Sequence, residues 1–390
     1  MRNILLLTLF CNLTVRAQVD SIPYFANHTE DITCISFSPD GKYIVTGSWD
    51  QSIIVHRNDS TAETVQVVEG YNGAIRTIAF SRDGRTMIAG GQDGNLNFYI
   101  FDDTYFDVAT LDTTLVINNT QINKLIYGPG MRTVFSAGDD GKFLTYDLVK
   151  EKVIPLNGKR PISAAAVAID RMSYFIATEG STSIHQFNVM GKEINTFEGH
   201  TNDITDLLVT VDRKYLISSS KDKTVRVWDI ANAKEENKFE DHTWAVTDID
   251  VDAFGTYLVS GGLDGKINIY DLKTRTKLLS QELSNYKINA LALSPDNTTI
   301  VAAAQPEGVS DPAGFFTLNT DLKARKIVLP KPFEISPLKK KYQEKELAKN
   351  NRLEEAKRVK EAKKAETSNI SEEKILEKTE QVKITIKDNE

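Results

Sequence analysis

A repeat of slightly more than forty residues constrains this chain more than any other feature. Six stretches place a small or polar residue four positions before a turn and an aromatic-like residue six after it. They are Thr46/Asp50/His56, Ala89/Asp93/Tyr99, Ser136/Asp140/Tyr146, Ala177/Ser181/Phe187, Ser218/Asp222/Trp228 and Ser260/Asp264/Tyr270. Successive turn positions are 43, 47, 41, 41 and 42 residues apart. Self-similarity at this period marks one small sheet per unit, and such a sheet must bury its faces against its neighbours.

Gly199–Ile230 shows the unit best: GHTNDITDLLVTVDRKYLISSSKDKTVRVWDI. A first run holds Ile204, Asp206–Val209 and Val211, a second covers Tyr215–Ser220, and a third covers Thr224–Trp228. Polar breaks at Asp212–Lys214 and Lys221–Lys223 separate them, and a fourth run, Glu236–Phe239, follows. Short β-branched runs between turn residues predict an antiparallel meander.

The residues GH…SSSKDKTVRVWD closely resemble the WD40 repeat family, as do DH…SGGLDGKINIYD (Asp241–Asp271) and His28–Arg57. The resemblance covers Gln18 to Pro330. It implies an all-β, seven-bladed WD40-type β-propeller over 18–330. The units are His28–Val68, Tyr71–Ile117, Asn119–Pro155, Lys159–Phe197, His200–Phe239, His242–Leu283 and a last one from Asn285 to Asn319, interrupted by a turn-rich insertion at Gln305–Ala313. In this family a terminal strand completes the last blade. Ser21–Phe25 and Ala324–Leu329 (ARKIVL) are both candidates. A closed ring is expected to leave no exposed sheet edge.

Met1–Ala17 (MRNILLLTLFCNLTVRA) has a basic start, a short apolar core and modest residues before Gln18, the pattern of a secretory signal peptide. The apolar run is too short to span a bilayer. Export is therefore expected, to a periplasm or cell envelope, with no integral membrane segment after cleavage. The alternative is an intracellular adaptor whose N-terminus only mimics a signal. Cleavage would leave one cysteine, Cys34, and so no internal disulfide, and a chain this long needs none.

After Pro330 the composition changes. Leu338–Glu366 is rich in Lys, Glu and Ala and lacks Gly and Pro, so 331–390 is expected to be a charged, mostly helical tail. Gln381–Lys387 alternates like a strand. From Leu338 onward Lys and Arg number 15 against 12 Asp and Glu, while the whole chain carries −7, so the repeat region is the acidic part. That argues against nucleic-acid binding, which requires a basic footprint. Lys339–Lys341 is a small basic cluster.

His200, Ser218, Asp222 and Trp228 superficially suggest a catalytic triad. The set recurs as His28/Thr46/Asp50 and as His242/Ser260/Asp264. A hydrolase needs one such set beside an oxyanion hole, so repetition at the period points to structure. The family resemblance implies a buried hydrogen-bond network. Neither the histidines nor the Asp-Gly turns have metal-ligand spacing, so no cofactor or metal is expected. Trp49 and Trp244 fall in loops that the resemblance places on the top face, and exposed loop aromatics are binding anchors. Arg76, Asp139 and Lys221 occupy comparable positions.

The expected function is a non-catalytic protein-interaction scaffold that binds cell-envelope proteins on its top-face loops. The alternative from another class is a propeller binding a small ligand, or acting as an enzyme, at its central channel.

Overall fold

The computed structural model describes residues 22–322 apart from 102–108, 117–119, 129–131, 149–151, 158–159, 169–172, 307–312 and 321. These fall within one compact unit, Met1–Pro332. The signal-like segment Met1–Ala17, the alternative closing strand Ala324–Leu329, Lys339–Lys341 and the tail expected to be helical lie outside the described residues.

The described residues form seven four-stranded antiparallel sheets. The chain begins with β1 (Tyr24–His28). Blade one is β2 to β5 (Ile32–Phe37, Tyr43–Ser48, Ile53–Arg57, Thr64–Val68) and blade two is β6 to β9 (Ile75–Phe80, Thr86–Gly91, Asn95–Phe101, Ala109–Val116). Blade three is β10 to β13 (Ile122–Tyr127, Thr133–Gly138, Lys142–Asp147, Lys152–Asn157). Blade four is β14 to β17 (Ile162–Val167, Ser173–Thr178, Ile184–Asn188, Glu193–Phe197). Blade five is β18 to β21 (Ile204–Val209, Tyr215–Ser220, Val225–Asp229, Lys234–Phe239) and blade six is β22 to β25 (Val246–Val251, Tyr257–Gly262, Lys266–Asp271, Thr276–Glu282). Blade seven takes β26 to β28 (Tyr286–Leu293, Thr299–Pro306, Ala313–Asn319) and borrows β1 as its outer strand.

The borrowed strand overlaps the first of the two closing candidates, Ser21–Phe25. Tyr24 pairs with Phe316, Phe25 with Phe315 and Ala26 with Gly314. Both ends of the ring therefore meet in one sheet.

The first strands of successive blades pack side by side around the axis, and the second strands are the most apolar. All six residues of β3, β7 and β11 are buried, because each sheet is covered on both faces. One apolar cluster joins Val45 and Val55 of blade one to Ile75 and Met87 of blade two. Others join Phe175 to Leu207 across blades four and five, Ile249 to Leu208 across five and six, and Val301 to Ile44 across seven and one. The hydrophobic effect thus acts between blades as much as within them.

The outer strands correct one expectation. Each blade is a separate sheet, so its first strand keeps an edge on the channel and its last strand an edge at the periphery, each with a neighbour on one side only. Polar sequence protects such edges: β21 reads KEENKF with four of its six residues exposed.

Blade four corrects another. The pair Ile162↔Thr178 matches Ile204↔Ser220 of blade five, so Ile176, not Ala177, occupies the place of Ser218. Gly180 then takes the place of Asp222, and the turn before β16 is one residue longer. That extra residue brings Phe187 into its aromatic place opposite Tyr174 and makes Ser181 look like the turn position.

A hydrogen-bonded belt locks the blades together. Each first strand has a bulge just after an Ile or Val, and in every blade but the second the polar side chain there reaches the next blade's carbonyl. Asn123 donates to Ile162 O at 2.9 Å, Ser163 to Ile204 O at 3.0 Å, Thr205 to Val246 O at 2.8 Å and Thr247 to Ile288 O at 2.7 Å. Thr33 donates to Ile75 O, and Asn289 closes the circle on Ile32 O at 3.5 Å. Replacing Thr247 by Val keeps the shape but strands the Ile288 carbonyl. The expected cost is about 1–2 kcal/mol, read as a lower urea midpoint with unchanged m-value. An unchanged midpoint would mean that channel water substitutes fully for the hydroxyl.

Candidate functional site

Two sets of polar residues recur at the blade period, and they do different things. The first set is buried in the blades. His28 Nδ1 meets Asp50 Oδ2 at 2.8 Å and its Nε2 meets Thr46 Oγ1 at 2.8 Å. His200 repeats this with Asp222 and Ser218, each at 2.7 Å, and Trp228 Nε1 donates to Ser218 Oγ at 2.8 Å. His242 repeats it with Asp264 at 3.0 Å and Ser260 at 2.8 Å. Each Asp also accepts the backbone N–H that follows its histidine, from Thr29, Thr201 and Thr243. The imidazole nitrogens and serine oxygens are occupied by these bonds inside the sheet. The groups are therefore paired as buried polar groups must be.

Burial alone would raise these carboxylates, but the bonds outweigh it. The His200 and Thr224 bonds hold Asp222 well below the ordinary carboxylate range, and His242 draws Asp264 down to about 2. Blade two substitutes a different pair: Tyr71 stands eighteen residues before Ala89, as His28 does before Thr46, and its hydroxyl bonds that of Tyr99. In blade one His56 takes the place of Trp228, and burial lowers it to about 4, so it is neutral at pH 7.

The second set surrounds the central channel, a polar cavity of about 680 Å³. The rim residue sits just after the second strand of each blade. Its N–H bonds the carbonyl eighteen positions earlier: Trp49 to Asp31 O at 3.0 Å, Gln92 to Ala74 O at 2.9 Å, Asp139 to Gln121 O at 3.0 Å. Glu179, Lys221 and Leu263 do the same to Pro161 O, Asp203 O and Ala245 O. This repeated bond fixes the backbone, while the side chain differs in every one of these blades.

Four of the five sequence candidates, Trp49, Arg76, Asp139 and Lys221, line this channel together. Arg76 occupies a belt position, yet its guanidinium carbon stands 5.5 Å from the Trp49 ring centroid, a cation–π distance. Trp49 is 41% exposed. Asp139 accepts from Asn123 at 2.7 Å and Lys221 pairs with Asp203 at 3.0 Å. Trp244 is 55% exposed in the β21–β22 loop, on the same face as Trp49 because strands alternate in direction, but it does not line the channel.

Sequence reasoning missed the charged girdle deeper in the channel. Lys124 Nζ on blade three reaches Asp206 Oδ1 on blade five at 2.5 Å. The equivalent position of blade four is the small Ala164, which leaves space for that reach. Asp248 and Asp250 on blade six accept the N–H groups of Leu291 and Leu293 on blade seven, each at 2.8 Å. Burial, then the Asp206 charge, pushes Asp248 well above the usual carboxylate range, and burial raises Asp250 to about 6. Burial opposes charge on Lys124, but Asp206 and Asp248 outweigh it and hold the ammonium above its ordinary value.

With the geometry in place, comparison with known proteins is informative. The WD domain, G-beta repeat family model matches residues 20–57, 62–99, 191–229 and 233–271. Each match begins at an outer strand and runs through the three inner strands of the next blade, the same phase shift that makes β1 belong to blade seven. The chain is a WD40-repeat propeller. WD repeat-containing protein 18 of Danio rerio is 25% identical over 224 residues, covering 51% of this chain and 50% of that one. Target of rapamycin complex subunit wat1 of Schizosaccharomyces pombe is 37% identical over 59 residues, covering 14% and 19%. Periodic tryptophan protein 2 homolog of Dictyostelium discoideum is 26% identical over 168 residues, covering 42% and 18%. The chain spans half or less of the length of these curated relatives. WD40 propellers are typically non-enzymatic interaction scaffolds.

The two carboxylate groups give this WD40 ring opposite pH responses. Asp264, lowered when folded, stabilises the ring above the unfolded value near 4 and loses that contribution as pH falls toward 2. Asp250, raised to about 6 when folded, binds its proton more tightly in the native state, so its contribution is lost as pH rises from about 4 to 6. Denaturant titrations across that interval should therefore show a decline in stability that Asp250→Asn flattens. An identical slope in the variant would refute the raised value.

Proposed function

We propose that this protein is an interaction scaffold whose partner proteins bind at the mouth of the central channel. The observation that carries this reading is the half-exposed Trp49 ring with the Arg76 guanidinium over it, where six belt positions out of seven bond a neighbouring blade. An aromatic and a guanidinium on a rigid rim are the residue types that dominate protein interfaces. Trp244 on the same face extends the surface. A relative named as a complex subunit supports the assembly role. The central-channel enzyme reading has weaker support, since the described histidines are spent on blade bonds or, for His185, on Glu193 at the periphery.

Trp49→Ala combined with Trp244→Ala tests it. Partners captured by the full chain from its own host and identified by mass spectrometry should bind at least about tenfold more weakly, with melting unchanged within a degree or two because both rings are exposed. Lost stability with retained partners would show that the rings only cover their blades.

We also propose export, with envelope proteins as the partners. Its support is the Met1–Ala17 pattern alone. Intact-mass measurement on protein from the native host should give a chain starting at Gln18. A mass that retains Met1–Ala17 would overturn this.

A further inference from the structure

Three cations line the central channel, and two of them are already spent. Lys124 pairs with Asp206 at 2.5 Å and Lys221 with Asp203 at 3.0 Å. Arg76 is the third. Among the described residues its guanidinium forms neither an ion pair nor a hydrogen bond, and it lies over the Trp49 ring instead. Its backbone is fixed all the same, because Ile75↔Gly91 and Thr77↔Gly90 bracket it at the bulge of β6.

The channel is not short of carboxylates, yet none reaches this guanidinium. Asp31, Asp139 and Glu179 all line the channel. Neither Asp31 nor its exposed neighbour Glu30 pairs with Arg76, and burial raises Asp31 with no offset from a nearby cation. Asp139 accepts from the neutral amide of Asn123 at 2.7 Å. Glu179 follows β15 on blade four, two blades from Arg76. A guanidinium donates and cannot accept. Lying over a ring occupies its face and leaves the N–H groups in its plane open. The group that fits an open planar fork is a coplanar carboxylate, held by two parallel hydrogen bonds.

We propose that Arg76 takes a carboxylate of the partner protein, an Asp or Glu side chain or a free C-terminus, with an apolar neighbour of that group packed on the exposed Trp49 ring. The inference rests on the scaffold reading above and names the group the partner presents. The ring holds the fork in place before the partner arrives, so little side-chain freedom is lost on binding. Asp139 and Glu179 decide the rest of the chemistry. Without a cation of their own they repel further negative charge entering the mouth, so the fitting segment carries an isolated carboxylate among apolar residues. A nucleic acid, with a charge on every phosphate, does not meet that condition.

Random short peptides with free C-termini, selected on the full chain, supply the probe, and fluorescence anisotropy reads their affinities. Selected peptides should share one carboxylate beside an apolar or aromatic residue. Converting that carboxylate to its amide should weaken binding to the parent at least about tenfold and leave binding to Arg76→Gln unchanged. Arg76→Gln should weaken the acid peptides to the same extent. Arg76→Lys should restore only part of the loss, because an ammonium keeps the charge without the fork. Both variants should melt as the parent does, since Arg76 makes no hydrogen bond to another blade. Peptides that lose affinity for Trp49→Ala with Trp244→Ala but not for Arg76→Gln would sink this assignment and leave the scaffold reading standing. An empty selection, or peptides indifferent to every variant, would sink both. Displacement of the peptides by a single-stranded oligonucleotide would overturn the assignment in favour of phosphate.

Discussion

Pairing of β1 with β28 is the interaction on which the rest of this architecture depends. Without it blade seven has three strands, and the two ends of the ring are no longer held in one sheet. The seam is tied in two further ways. Asn289 reaches Ile32 O, and Phe315 packs with Ile44 and Ile32 in one cluster. All these ties join residues from opposite ends of the ring, so they form only after a large loop has closed. The entropy of that closure grows slowly with loop length, and a strand, a belt bond and an apolar cluster share the cost. This is why a ring of identical small sheets behaves as one cooperative body rather than as an array of separate repeats.

Much of this was legible in the sequence because blade-forming residues act locally. The three inner runs of blade five, read from alternation and turn residues alone, fall within a residue or so of β18, β19 and β20. Blade four was misread for an equally local reason: a one-residue insertion in a turn shifts the spacing that the eye follows, while the strand pairing absorbs it. The belt was invisible because its donors and acceptors lie about 40 residues apart, on different blades. Yet a trace existed. The residue after each leading Ile or Val is polar every time: Thr33, Arg76, Asn123, Ser163, Thr205, Thr247 and Asn289. The Lys124–Asp206 pair left no such trace, since it depends on one small residue in the intervening blade.

The residues that repeat and those that do not divide the labour. His, Ser or Thr, and Asp recur because each set satisfies the same buried donors and acceptors in a different blade. Where the set is lost, another solution fills the same volume, as the Tyr71–Tyr99 hydroxyl pair does in blade two. Such residues report on folding. The channel girdle is different. Asp248 and Asp250 bond the backbone of the next blade, yet they crowd Asp206 and share one nearby ammonium, Lys124. Burial among protein walls is what lifts their protonation range, with the Asp206 charge adding to it at Asp248. The girdle therefore trades stability at neutral pH for a fixed polar lining.

At the rim, sequence freedom and structural rigidity coincide. In blades one to six the rim N–H makes the same bond to the same carbonyl, so the backbone there is indifferent to the side chain it carries. Tryptophan, glutamine, aspartate, glutamate, lysine and leucine all occupy that place at little cost to the ring. A binding surface built this way changes its chemistry one blade at a time without disturbing the fold beneath it. Arg76 goes one step further, because it occupies a belt position, where the side chain does have structural work, and turns instead to the Trp49 ring. Giving up the hydrogen bond to blade three for a cation–π contact back to blade one is the kind of local exception that selection for stability alone does not favour. That departure makes the blade one to blade two sector of the mouth the strongest candidate for the centre of a partner's footprint.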